Sequence, residues 1–509
     1  MAADPVAGHP GTGPDAVRVV TPQVVPAALA GDVAERRPRV VVLGDALLDG
    51  WLTGPARRLG RDAPVPVVDV ASSTTEPGGA ANVAANLAAL GAEVELVSVF
   101  GDDPDGLTLR RALHEHGVRV NRSVIELERP TPAKRRLVAH GQVLARYDST
   151  PVTPLRRSTE HAVAAAVTQA CAGADAVLVA DYGLGVLTDR VRRRLAGLRR
   201  RIPLLVVDAH DLAPWGALRP DAVTPNVAEA AALLGVPVPD AERAGWGLRH
   251  RRALTERAGG DVLLTLDVDG ALHLPATGPV RAVAADRAQP DALACGAGDT
   301  FTAAWTAATA AGLAAPEALA LAQAAADVVV ARPHTAVCST AALTARLAAA
   351  DRGTVLDHRD LLTALAEHRR AGHRVVFTNG CFDVLHRGHV AYLRQARALG
   401  DVLVVALNSD ESVSRLKGPQ RPVNPLTDRA GVVGALAGVD LVTAFAEDTP
   451  VDLLEAVRPD VYAKGGDYTP QMLPETPVVE RLGGQVRVLD YLSDHSTTAI
   501  VARIQEAPR

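Results

Sequence analysis

The 509-residue chain is poor in several residue types, and each shortage excludes something. Aromatics make up only 3%, so its cores must be built from Ala, Val and Leu. Four cysteines (Cys171, Cys295, Cys338, Cys381) are scattered without a CxxC pair, which supports neither a disulfide framework nor a structural zinc site. Long apolar runs are missing too. The most apolar stretch, Leu313–Ala331, is interrupted by Pro316, Glu317, Gln323 and Asp327 and predicts a buried helix, not a membrane span. A net charge of −5 argues against a surface built for nucleic acid or for a membrane. No targeting segment is recognisable, and residues 1–36, rich in Ala, Pro and Gly, read as a disordered extension. A soluble, cytoplasmic protein is expected. Lysine is the scarcest charge: of 53 cations only Lys134, Lys417 and Lys464 are lysines. In an arginine background, a lysine inside a motif points to a place where a compact ammonium is needed.

What is present is 48% apolar residues, enough for packed cores, in a length that suits two to four domains. Short β-branched runs alternate with Ala/Leu stretches, the pattern of α/β folds with parallel sheets. Strands are predicted at Arg39–Leu43, Val94–Val99, Ala176–Ala180, Leu204–Val207 and Val262–Leu266, and helices at Ala80–Leu90, Gly298–Ala311 and Pro316–Ala331. Between Val118 and Tyr147 polar and apolar residues alternate, predicting an antiparallel ribbon that acts as a lid. The α/β alternation restarts with strands at Val375–Thr378, Val402–Leu407, Leu441–Phe445, Val461–Ala463 and Val486–Leu489. The expected division is 1–36 extension, 37–345 first domain, 346–372 linker and 373–509 second domain.

Two motifs carry chemistry. In Cys295-Gly-Ala-Gly-Asp299-Thr-Phe, Gly296, Ala297 and Gly298 let a ligand approach the backbone where a helix begins, and helix-start amides favour an anion. Asp299 is then placed to take a proton from an attacking hydroxyl; a simple helix cap is the alternative reading. In Thr378-Asn379-Gly380-Cys-Phe382-Asp383-Val-Leu-His386-Arg-Gly-His389, a strand leads into a helix. The two imidazoles, three residues apart at the helix start, aim at one point and suit donation to a phosphoryl oxygen. A metal site is the alternative, with no further ligand to support it.

The first motif resembles the signature of ribokinase-type carbohydrate kinases. The family's other signatures occur in order over about 260 residues: Gly44-Asp45-Ala-Leu-Leu-Asp49, Pro77-Gly78-Gly79-Ala-Ala-Asn82 and Asn226-Val227-Ala228-Glu229. The resemblance implies that Asp299 is the general base for attack on the γ-phosphate of ATP. It also implies that Asn226 and Glu229 organise phosphates and Mg2+, and that Asp49, Gly78, Gly79 and Asn82 hold the sugar. Lys134, on the lid, is placed to meet a sugar phosphate. Leu293 stands where the family carries a polar residue tied to a monovalent cation, which argues against cation activation. Leu184 and His210 stand where relatives acting on sugar phosphates carry lysines.

The second motif resembles the HxGH signature of cytidylyltransferase-like nucleotidyltransferases. Supporting motifs follow: Lys417-Gly, Arg421-Pro, Asp428-Arg429, Lys464-Gly465-Gly-Asp467-Tyr and Ser496-Thr497-Thr498. Of these, Lys417, Arg421, Lys464, Gly465, Asp467, Ser496, Thr497 and Thr498 are expected to bind the nucleotide phosphates with Thr378, Asn379, Gly380, Phe382 and Asp383. The pairing resembles the bifunctional heptose-7-phosphate kinase/heptose-1-phosphate adenylyltransferase family. It implies a ribokinase-like three-layer domain with a small β lid, then a Rossmann-like transferase domain, using ATP and sugar phosphates; because a β lid often pairs across a dimer, a homodimer is expected. The competing expectation is a single-activity nucleotidyltransferase whose first domain is a degenerate binding or dimerisation module.

Overall fold

The computed structural model describes residues 17–20, 25–61, 63–149, 154–238, 242–285, 294–351, 355–436, 438–465 and 469–489. It divides into two compact units, Met1–Leu347 and Ala348–Arg509.

The first unit is built on a nine-stranded sheet. In spatial order its strands are Val17–Val19, Val280–Val283, Ala271–Leu274, Asp261–Thr265, Ala222–Val223, Leu204–Ala209, Ala176–Asp181, Arg39–Gly44 and Glu93–Val97. Pairing is parallel except around Ala271–Leu274, which runs antiparallel to both neighbours. The central strands are almost continuous Val, Leu and Ala because helices cover both faces. One face is closed by the helices Ala80–Ala89, Ala297–Ala310 and Ala315–Val330, most of whose alanines are buried. These small side chains let helices and sheet approach closely, which is how a core with so few aromatics is filled.

The lid is a separate four-stranded sheet in the order Gln142–Ser149, Ala133–Ala139, Ala46–Thr53, Ser72–Gly79. The expected ribbon is its first hairpin. The other two strands continue directly from the core, so Asp49 and Gly78–Gly79 sit on the lid beside Lys134, which is in register with Asp49.

The second unit holds a six-stranded parallel sheet in the order Val355–Leu356, Leu441–Phe445, Val402–Asn408, Val375–Gly380, Val461–Gly465, Gln485–Leu489. Chain order reverses at Val375–Gly380, and ligands of such sheets bind beyond the carboxyl end of the strand at the reversal.

Two boundaries need correction. The extension 1–36 contains ordered structure: Val17–Val19 pairs with Val280–Val283, and helix Ala28–Arg36 buries Ala30 and Val33. The remaining residues of that stretch, 1–16 and 21–24, lie outside the described residues. The stretch 346–372 is not a bare linker either. Leu347 belongs to the first core, Val355–Leu356 edges the second sheet, and helix His358–Arg370 buries Leu361 and Leu365 in the second core. Polar residues outnumber these few anchors, which hides the elements in a compositional reading.

Candidate active sites

The helix Ala297–Ala310 starts from Gly296, whose φ of 86° is a left-handed conformation that side chains disfavour. A Cβ there would lie 2.5 Å from Asn82 Nδ2, so glycine is also needed for space. Asp299, in the first turn, has both carboxylate oxygens engaged: Asn82 donates to Oδ2 at 2.7 Å and the Tyr182 hydroxyl to Oδ1 at 2.6 Å. Burial pushes the Asp299 carboxyl upward, while those two hydrogen bonds and Lys134 pull it down. Asn82 is fully buried and held in turn by Asn86, which accepts from the Thr300 hydroxyl and the Cys338 amide. Asn82, expected to hold the sugar, is bonded to Asp299. Its fixed amide presents a donor to Asp299, and the polar chain behind it leaves little freedom to rotate.

Asp49 is 5% exposed and accepts from Arg136 at 3.0 Å and from the Thr335 hydroxyl at 3.0 Å. Arg136 also reaches Cys295 Sγ at 3.4 Å and lies 4.6 Å over the Trp51 ring, which stacks on His334. Gly78 is required here, since a Cβ would stand 2.8 Å from Asp49 Oδ2. Sequence reasoning singled out Lys134 and passed over Arg136. The available signal was their i, i+2 spacing on one strand, which puts both on one face.

Asn226 and Glu229 form a capping box at the start of helix Val227–Leu234: Asn226 Oδ1 accepts from the Glu229 amide at 2.9 Å, and Glu229 Oε2 from the Asn226 amide at 3.0 Å. Glu229 Oε1 meets His210 Nδ1 at 2.8 Å, and this partner pushes the imidazole upward. His210 therefore pairs with a carboxylate at the position where a lysine is missing, whereas Leu184 is buried. Of the other two residues expected to bind ATP here, Val227 is buried in the core and Ala228 is exposed on the helix. Asn226, Cys295, Gly296, Ala297, Gly298 and Phe301 line a cavity of about 860 Å3, a volume suited to a nucleotide. A residue that sequence reasoning missed is Asp208, two positions before His210. Burial, then the charges of Asp299 and Glu229, push its carboxyl up to about 8.

In the second unit His386 is the N-cap of helix Arg387–Arg397 and His389 lies in its first turn. Their rings stack with centroids 3.9 Å apart. Burial, then His386 and Lys417, lower His389 to about 4. Asn379, Gly380, Phe382, Asp383, His389, Lys417, Lys464 and Gly465 line one small cavity of about 140 Å3 with Cys381 and Tyr392. Lys464 donates to Asn379 Oδ1 at 2.9 Å and to the Tyr462 hydroxyl at 3.2 Å; burial lowers its ammonium. Lys417 ends helix Asp410–Lys417. Gly465 packs on Tyr392, where a Cβ would come within 2.9 Å of the ring.

Three expected phosphate ligands, Thr378, Asp383 and Arg421, are engaged by other groups of the chain. Thr378 is fully buried and bonded to the Tyr392 hydroxyl at 2.5 Å. The Asp383 carboxylate, with no exposed surface, accepts on Oδ1 from Val423 N at 2.7 Å and Asn424 N at 3.2 Å, and its Oδ2 forms an ion pair with Arg421 Nε at 2.7 Å. Arg421 is the partner in that pair, so each neutralises the other. Arg429, also buried, ties Cys381 O, Asn424 O and Asp410 together. Asp467, Ser496, Thr497 and Thr498, and Leu293 of the first unit, lie outside the described residues.

Residues 37–342 match the pfkB family carbohydrate kinases and residues 377–503 the cytidylyltransferase-like family. The chain is 39% identical over 479 residues to the bifunctional protein HldE of Pelobacter propionicus, covering 92% of this chain and 97% of that protein. It is 41% identical over 477 residues to the bifunctional protein HldE of Pseudomonas syringae pv. syringae, with the same coverage. Among solved structures, phosphofructokinase-2 from Escherichia coli aligns with a TM-score of 0.52 at 19% identity, covering 61% of this chain and 98% of that one. That likeness shows the ribokinase-type fold of the first unit. The two units are thus a carbohydrate kinase and a nucleotidyltransferase, both using ATP, and the chain belongs to the family of bifunctional HldE proteins.

Proposed function

We propose that the chain makes ADP-heptose in two of its steps, phosphorylating D-glycero-β-D-manno-heptose 7-phosphate at C1 and later transferring adenylyl from ATP to heptose 1-phosphate. The observation that carries the first step is Asp299, held from both sides at a helix start beside the 860 Å3 cavity. Asp299 takes the proton of the sugar hydroxyl as its oxygen attacks the γ-phosphorus, ADP leaves, and the amides at 297–299 stabilise the charge on the transferred group. In the second step an oxygen of heptose 1-phosphate attacks the α-phosphorus and pyrophosphate departs. His386, His389, Lys417 and Lys464 spread the developing charge, with positioning supplying the rest. His389, lowered to about 4, acts at neutral pH as a neutral hydrogen-bond donor.

Magnesium suits the first site. The charges of Asp299 and Glu229 raise buried Asp208, so the cluster calls for a counter-charge, and no lysine supplies it at position 210. Glu229 with the nucleotide phosphates would hold the ion, which neutralises phosphate charge when bound. The product of the first step carries two phosphates and the second substrate one, so a phosphatase must act between them. We place the enzyme in the cytoplasm as a homodimer; no helix among the described residues is long and apolar enough to cross a membrane. Asp299→Asn tests the assignment. It abolishes ADP release with heptose 7-phosphate and leaves pyrophosphate release from heptose 1-phosphate intact; unchanged ADP release removes Asp299 from the mechanism.

A further inference from the structure

We propose that Tyr182 is a positioning residue of the kinase step, fixing the carboxylate of the general base from the side opposite Asn82, and that buried Asp45 sets Tyr182 in place. The proposal rests on the assignment of Asp299 as base.

Asp45 is 1% exposed and makes no ion pair with an Arg or Lys among the described residues. Its two oxygens accept instead from three backbone amides of a single loop: Tyr182 N at 3.1 Å, Leu184 N at 3.0 Å and Val186 N at 3.0 Å. A carboxylate buried at the end of one core strand is thereby spent on shaping the turn after the next strand, Ala176–Asp181. The Asp45 backbone also serves the site: its carbonyl accepts from Ala80 N, at the start of the helix that carries Asn82. Both partners of Asp299 therefore hang from one residue, Asn82 through the Asp45 carbonyl and Tyr182 through its carboxylate.

The result at Asp299 is a carboxylate with one donor on each oxygen, Asn82 on Oδ2 and Tyr182 on Oδ1. Two donors fix the plane of the group, which a single one would leave free to turn. The remaining lone pairs then face one direction, as a base must to meet a hydroxyl near its line of attack. Tyr182 is itself steadied by an edge-on contact with His210, with ring centroids 5.1 Å apart. The other charged groups that act on Asp299 are Asp49, which raises it, and Lys134, which lowers it; Asp208 lies within electrostatic reach.

The signature predicted for this role is separable from a packing role. Tyr182→Phe keeps the ring and its contact with His210 and removes only the hydroxyl. Freed on one side, the base turns more often into unproductive orientations, so kcat falls by about ten- to a hundredfold while KM for ATP and sugar stay near their original values. The lost donor also stops stabilising the ionised carboxylate, so the acidic limb of kcat/KM moves up by about one pH unit. The experiment measures ADP release by the full chain carrying Tyr182→Phe across pH 5–9, beside Asp299→Asn, with pyrophosphate release by the same preparations as the measure of intact protein. Tyr182→Phe with lowered kcat and a raised acidic limb, alongside an inactive Asp299→Asn, supports the proposal. An inactive Asp299→Asn with Tyr182→Phe matching the original chain in kcat and in pH profile overturns the proposal alone. An active Asp299→Asn overturns the base assignment and the proposal with it.

Discussion

Asp383→Asn separates a strut from a ligand in the transferase unit. The carboxylate is enclosed, with Oδ1 accepting from the amides of Val423 and Asn424 and Oδ2 in an ion pair with Arg421, itself only 15% exposed. The substitution keeps an oxygen for the two amides but turns an NH2 group toward the guanidinium. The loss is therefore that of one partner of a buried ion pair, about 3 kcal/mol. For a unit of this size, each kcal/mol moves the unfolding temperature by about 2–4 °C, so a fall of about 6–12 °C is expected. The chain offers a built-in discriminator: its four tryptophans, Trp51, Trp215, Trp246 and Trp305, all lie in the first unit. Thermal unfolding followed by tryptophan fluorescence should not shift, while the far-UV circular dichroism, which sees both units, should gain an early component. Pyrophosphate release should weaken through a loosened 421–424 segment. If instead both unfolding signals are unchanged and only KM for ATP rises, Asp383 is a nucleotide ligand and the argument for a strut fails.

Other predictions test other links. Gly296→Ala forces a Cβ to 2.5 Å from Asn82 Nδ2 at a φ of 86°; sugar phosphorylation should fall at least about a hundredfold, given the displacement of the base, with pyrophosphate release unchanged. Glu229→Gln removes the charge that raises His210 and weakens the capping box; ADP formation should need more Mg2+, and helix loss at that end should cost about 1 kcal/mol in urea unfolding. His389 is lowered to about 4 in the folded chain against an ordinary value near 6.5. It should bring no loss of pyrophosphate release between pH 8 and 5. The unfolded chain takes up the proton first as pH falls below about 6.5, so the second unit should lose stability between there and pH 4, by up to about 3 kcal/mol.

Much of this was legible in the sequence, and the part that was not has a consistent cause. The β-branched runs and the alanine-rich helices announce themselves by composition, and the structure has each of the predicted strands within a few residues. The short motifs fix which helix starts matter. What a linear reading misses is the direction of side chains over long separations. Asn82, Asp383 and Arg421 stand inside recognisable motifs, but the motifs do not show that their partners in the fold are Asp299, the 423–424 amides and each other, tens to hundreds of residues away. Tyr182, Asp208 and Arg136 carry no signal of their own in the sequence, because their importance comes from being brought to Asp299, Glu229 and Asp49 by the sheet and the lid. The helix His358–Arg370 escaped because only Leu361 and Leu365 are fully buried among charged neighbours.

The most direct test is a paired assay of the purified full chain with ATP. It should yield ADP and a bisphosphorylated sugar from heptose 7-phosphate, without pyrophosphate, and pyrophosphate with ADP-heptose from heptose 1-phosphate. Asp299→Asn should remove only the first reaction and His389→Asn only the second. Absence of pyrophosphate with heptose 1-phosphate, or either substitution silencing both reactions in a folded chain, would contradict two separate phosphate-transfer sites.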